Sequence, residues 1–152
     1  MTGLSRHINA TPERVFAELS DGWIYASWVV GASHIRAVDT AWPDAGARLQ
    51  HRVGPWPLSI ADFTEVLEVD APTRLVLQAR AWPFGEARVE LTLRPDAGGS
   101  QVSMKEVPTR GPGRVLDNPL QRVLLRRRNR ESLARLAALA ENRPWPGVAA
   151  QR

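Results

Sequence analysis

Cysteine is missing altogether from the 152 residues, histidine occurs only three times, and no apolar run approaches the length of a bilayer. Without cysteine there is no disulfide, no thiolate nucleophile and no Cys-based zinc or iron–sulfur site. His7, His34 and His51 are scattered, without the i, i+4 pairing of a zincin, so neither a metal nor a cofactor is expected. A transmembrane helix needs about 20 consecutive apolar residues, and none is present. The opening MTGLSRHINATPERVF also lacks the basic start and apolar core of a signal peptide, which makes a cytoplasmic protein the expectation. Equally absent are a GxSxG elbow, a Walker loop and a dinucleotide fingerprint. The stretch TRGPGR has glycines and arginines but not the terminal Lys-Ser/Thr of a phosphate loop, and it reads as a connector.

What is present describes one ordinary globular domain, with 43% apolar and 24% charged residues. The net charge of +4 is unevenly spread: residues 1–100 hold nine Arg against twelve acids, while residues 101–152 hold eleven Lys plus Arg against four. Six tryptophans are also present, two of them in DGWIYASWVVG, where Trp23, Tyr25 and Trp28 fall within six positions.

Residues 4–9 read as a short strand. Thr11-Pro12-Glu13 is then a helix entry: the threonine caps, proline suits the first helical position and glutamate suits the positive end of the dipole. Val15, Phe16 and Leu19 supply that helix with an apolar face, Asp21-Gly22 ends it, and a second short helix runs to about Gly31. Beyond it the apolar period drops to two, the mark of half-buried strands. Ile35 and Ala37, then Ala47, Leu49 and Val53, then Val66 or Leu67, then Leu75, Leu77 and Ala79 are the expected inward positions. In EARVELTLR, Ala87, Val89, Leu91 and Leu93 share one face. After the turn at Asp96 to Gly99, Gln101 to Val107 forms the last strand, and a long helix spans about Pro119 to Glu141. Consecutive short strands favour an antiparallel meander. The domain is expected over residues 1–141, with 142–152 a flexible tail.

This order, together with IxATPERVF at the start (Ile8, Ala10, Pro12, Val15, Phe16), the DGWIYASW segment, TEVLEVDAPTRLVL and the long terminal helix, resembles the START-like SRPBCC superfamily, and within it the bacterial polyketide cyclase/dehydrase group. The resemblance covers roughly residues 3–141 and implies an α+β helix-grip fold. In that fold a curved antiparallel sheet of six to seven strands surrounds a long C-terminal helix, with two short helices after the first strand. It also implies a cavity between sheet and helix that takes a small hydrophobic molecule, lipid-like or polyketide-like. Cyclase/aromatase or dehydratase chemistry is the alternative that the family suggests.

Strand parity turns His51 inward with Leu49 and Val53, and Glu106 inward with Val102 and Met104. They act as an acid/base pair, orient a ligand's polar group, or serve structure alone, His51 bonded to backbone or water and Glu106 paired with a rim arginine. On the long helix Leu125, Asn129 and Ser132 share the inward face with Leu136 and Leu139, while Arg126, Arg127 and Arg130 point away. Trp23 and Trp28 either wall the cavity or pack the core. Trp56 and Trp82, each beside proline in a turn, are flaps at the mouth or covers of the core edge. The arginine run has no interleaved aromatics, so a solvated helix face is expected rather than a nucleic-acid site, with protein, nucleic acid or a membrane surface as the alternative partner.

Overall fold

The computed structural model describes residues 2–54, 57–81, 85–115 and 118–144. Strand β1 (Thr2–Ile8) leads into α1 (Pro12–Leu19), a 3-10 turn (Gly22–Ile24) and the single-turn α2 (Tyr25–Trp28). Six strands follow: β2 (Ala32–Val38), β3 (Arg48–Val53), β4 (Ile60–Asp70), β5 (Arg74–Ala81), β6 (Gly85–Asp96) and β7 (Gly99–Arg110). The short α3 (Pro112–Val115) and the long α4 (Pro119–Asn142) close the order. All neighbours are antiparallel in one seven-stranded sheet, ordered β1-β7-β6-β5-β4-β3-β2. The meander keeps β2 to β7 in sequence, and β1 returns to pair with β7.

The helix entries follow from their first residues. Thr11 Oγ1 accepts from the Arg14 N–H at 3.3 Å with Pro12 at the first helical position, and Asn118 Oδ1 accepts from Gln121 N–H at 2.8 Å ahead of α4. α4 lays Leu133, Leu136, Ala137 and Ala140 on the core, against Ile8, Val15 and Phe16 from β1 and α1 and the inner sheet face. Its far end is tied down by charge. Arg14 and Glu18, both buried, pair at 2.6 Å, Arg143 Nη1 reaches Glu18 at 2.8 Å, and Arg14 Nη2 donates to the Arg143 carbonyl at 2.8 Å.

Two bulges alter the expected parity. The β2–β3 register shifts between Ser33 and Ala37, with His34 in the left-handed region at φ 47°, so Ile35 and Val38 meet the core and Ala37 is exposed. The β4–β5 register shifts between Val66 and Glu68, which buries Val66, leaves Leu67 exposed and brings Val69 inward. The last strand extends three residues beyond Val107, so the connector supplies less chain than its composition suggests.

The inner face changes character along the strands. One row across β5, β6 and β7 is Leu75, Leu91 and Met104; the next is Leu77, Val89 and Glu106; the next is Ala79, Ala87 and Pro108. The first row is closed core. In the third, the side chains are too short to reach α4, and space remains between sheet and helix. Gly85 opens β6 at this end with φ 130°, and a Cβ there would lie 2.3 Å from the Arg110 carbonyl oxygen. Only glycine lets the two strands meet so closely at the rim.

Candidate functional site

The row of short side chains opens a cavity of about 230 Å³ between the sheet and α4. Its apolar wall includes Trp28, Val53, Leu77, Ala79, Ala87 and Val89, and its polar groups fall into two clusters.

The first cluster centres on Thr64 of β4, which is fully buried. Its hydroxyl bonds His51 Nε2 at 2.9 Å and Tyr25 OH at 3.2 Å. Leu49 is the direct partner of Thr64, so His51 is its diagonal neighbour on the same face, within side-chain reach. The Tyr25 ring stacks on the His51 imidazole at 5.7 Å and meets Trp28 and Trp42 edge-on at 5.5 and 6.4 Å. Burial pushes the Tyr25 phenol up to about 12, against the Thr64 bond and the Arg128 charge, which favour the phenolate. Burial likewise lowers the His51 pKa, opposed less strongly by the Asp62 carboxylate and the Arg52 backbone. His51 Nδ1 has no hydrogen-bond partner of good geometry among the described residues. The cluster is therefore neutral near pH 7 and holds one polar atom, His51 Nδ1, that among the described residues only the Arg52 backbone approaches.

The second cluster joins β7 to α4. Arg128 Nη2 lies 2.5 Å from each oxygen of the Glu106 carboxylate, and Asn129 Nδ2 donates to Oε2 at 2.8 Å. Glu106 is buried and Arg128 half-exposed, so the pair spans from the interior to the rim. Ser132, one turn further along α4, accepts from the Val30 N–H at 3.1 Å and ties the segment after α2 to the helix.

Of the residues expected at the site, Trp28, His51, Glu106, Leu125, Asn129 and Ser132 all line this cavity. Trp23 does not: it is 61% exposed, on the 3-10 turn capped by Asp21, and faces solvent. Trp42 fills the interior position instead, its indole N–H donating to the Leu19 carbonyl at 3.2 Å. Trp56 and Trp82 lie outside the described residues. Glu106 pairs with an arginine, one of the alternatives that its parity left open. With two donors bound, its carboxylate is engaged as an acceptor from Arg128 and Asn129.

Three site residues escaped sequence reasoning. Arg128 had a signal, since it sits one turn from both Leu125 and Ser132 on the same side of α4. Thr64 shares the parity of Val66, but with Val66 and Leu67 both open as the inward residue the pattern did not fix its face. Tyr25 had none, because nothing local says which ring of an aromatic segment turns inward. Among the described residues no three His, Asp or Glu side chains come together as a metal-holding group, and no helix is long and apolar enough to cross a membrane.

An antiparallel sheet closed on one long terminal helix, with a cavity between them, defines the helix-grip architecture. The chain belongs to the polyketide cyclase/dehydrase and lipid transport family, whose model matches residues 3–141. No curated protein matches it in sequence. Among solved structures it is similar to protein CV1439 from Chromobacterium violaceum, at 23% identity and TM-score 0.69, over 93% of this chain and 97% of that one. TTHA0849 from Thermus thermophilus matches at 16% identity and TM-score 0.66, over 99% of both chains. Ara h 8.0201 matches at 11% identity and TM-score 0.69, over 93% and 97%. At these identities the structural matches establish the fold alone. Family membership suggests a hydrophobic ligand.

Proposed function

We propose that the protein binds a small, largely apolar molecule carrying one or two polar groups in the cavity between sheet and α4. The observation that carries this reading is the graded inner face, closed core giving way to an open row at Ala79, Ala87 and Pro108 beside two polar clusters. An apolar pocket with a few fixed polar groups holds a ligand by burial and orients it by hydrogen bonds. About 230 Å³ exceeds the ~150 Å³ of a cavity that admits benzene and falls below the ~300–1,000 Å³ of drug-sized sites. One or two fused rings, or a short acyl chain, fit that range. His51 Nδ1, met only imperfectly by the Arg52 backbone, favours a ligand with a polar atom to complete its bonding, because a poorly paired buried polar group is costly.

The test is native mass spectrometry of gently purified protein, with organic extraction of whatever is retained and titration followed through tryptophan fluorescence. A bound apolar molecule, released when Ala87→Trp fills the cavity, is the expected result. No ligand-dependent signal across a broad panel of lipids, aromatic acids and polyketide-like compounds counts against the proposal.

The same nitrogen favours a second reading, acid/base chemistry on a polyketide-like chain, because a neutral imidazole beside an apolar pocket is a competent base. Turnover unchanged by His51→Ala would remove it from that role.

A further inference from the structure

We propose that the end of the molecule surrounding the cavity mouth docks on anionic lipid bilayers. Single exposed aliphatics are ordinary on protein surfaces, but concentration in one region is not. Of the eight large hydrophobic side chains exposed among the described residues, five belong to this end: Leu58 at 76%, Val115 at 82%, Leu120 at 67%, and Val123 and Leu124 at half or more. The registers bring their segments together. Val53 pairs with Ile60, Ala81 with Gly85 and Glu86 with Arg110, so the turn bearing Leu58 and the exit into α3 and α4 leave the sheet at one end.

The helix supplies the clearest pattern. Leu120, Val123 and Leu124 are spaced i, i+3, i+4 on the side of α4 turned from the core residues Leu133 and Leu136, while Leu125 faces the cavity. The first turns of α4 are thus apolar toward solvent as well as toward the interior. Residues 118–130 contain five arginines and no acid. Arg126, Arg127 and Arg130 are exposed and make no ion pair among the described residues.

Aliphatics drawn from a turn and two helices at one end of the sheet, flanked by uncompensated guanidinium groups, match an interface that is apolar below and negatively charged above. The leucines and valines enter the acyl boundary, the long arginine stems lie along it, and their heads reach headgroup phosphates. Nucleic acid would use the arginines but leave the aliphatics uncovered and find no aromatic platform for its bases. An acidic protein groove would accept one helix face rather than three separate segments. This surface is available whatever the cavity holds.

The full chain is sedimented with vesicles of phosphatidylcholine alone and with added phosphatidylglycerol, at low and high salt. Binding to the anionic vesicles only, weakened by salt, is expected. Arg126→Gln, Arg127→Gln and Arg130→Gln together should lower the partition coefficient roughly 100-fold. Leu120→Ser with Leu124→Ser should lower it about tenfold at unchanged charge, with an unchanged melting curve, since both side chains are already in water. Absence of binding to any vesicle overturns the proposal, as does equal binding to neutral and anionic vesicles. A charge-dependent signal that ignores the leucine pair leaves simple electrostatic adsorption and overturns the insertion. Retention on DNA or on an acidic protein without vesicle binding assigns the patch to another partner and equally overturns it.

Discussion

Arg128 on α4 and Glu106 on β7 meet across the mouth of the cavity, one guanidinium nitrogen serving both carboxylate oxygens, so the helix is held to the sheet at the point where hydrophobic contact gives out. The two partners are unequally buried, with side chains 39% and 6% exposed. Losing one is therefore not equivalent to losing the other.

Arg128→Met strands the buried carboxylate, and a loss of about 2–3 kcal/mol is expected, below the figure for a wholly buried pair because water reaches the arginine. Glu106→Gln keeps an acceptor for Asn129 and lets Arg128 turn to solvent, at about 1 kcal/mol. The double variant should be more stable than Arg128→Met alone. Urea denaturation measures all three, and the reverse ranking of the single variants would contradict the structure.

Thr64→Val preserves shape and removes the hydroxyl shared by His51 and Tyr25. Two buried polar groups then lose their partner together, and a cost of about 1–3 kcal/mol is expected, with Thr64→Ser near neutral. Equal stability of the valine variant and the native protein would mean that this hydroxyl is not the centre of the cluster.

Stability should depend on pH at both ends. His51 resists protonation in the folded state, so between its lowered pKa and 6.5 the unfolded chain binds more protons; stability is full above 6.5 and declines as pH falls through that window. For Tyr25 the phenol stays protonated to about 12 when folded and ionises near 10 when unfolded. Stability therefore declines from pH 10 to 12, by on the order of 3 kcal/mol. Thermal melts of His51→Phe and Tyr25→Phe should flatten the acid and alkaline limbs respectively, and a limb unchanged by its own variant refutes that assignment.

Ala79→Leu and Ala87→Leu extend side chains into the open row. Where a filled core would be strained by about 1–3 kcal/mol, here the melting temperature should hold within a few degrees while ligand capacity is lost. Marked destabilisation would show that the space is smaller than the cavity described.

Much of this architecture was legible in the residue pattern. Thr11-Pro12 marks the start of α1, the alternation from Ala87 to Leu93 marks the buried face of β6, and the parity of His51 and Glu106 turns both inward, because periods of 3.6 and 2 report directly which side of an element is apolar. Where the backbone slips, the pattern misleads. The bulge near His34 exchanges Ala37 for Val38, and no local composition announces it.

The amino-acid order by itself settled the long elements and, away from the bulges in β2 and β4, which side of each is buried. The tertiary structure alone decided that Tyr25 and Trp42 face inward while Trp23 faces solvent, that Thr64 bridges Tyr25 to His51, that Arg128 reaches Glu106, and that Ala79, Ala87 and Pro108 stand in one row. Each of these depends on register and packing between segments far apart in the chain, and periodicity names a face without naming what lies opposite it.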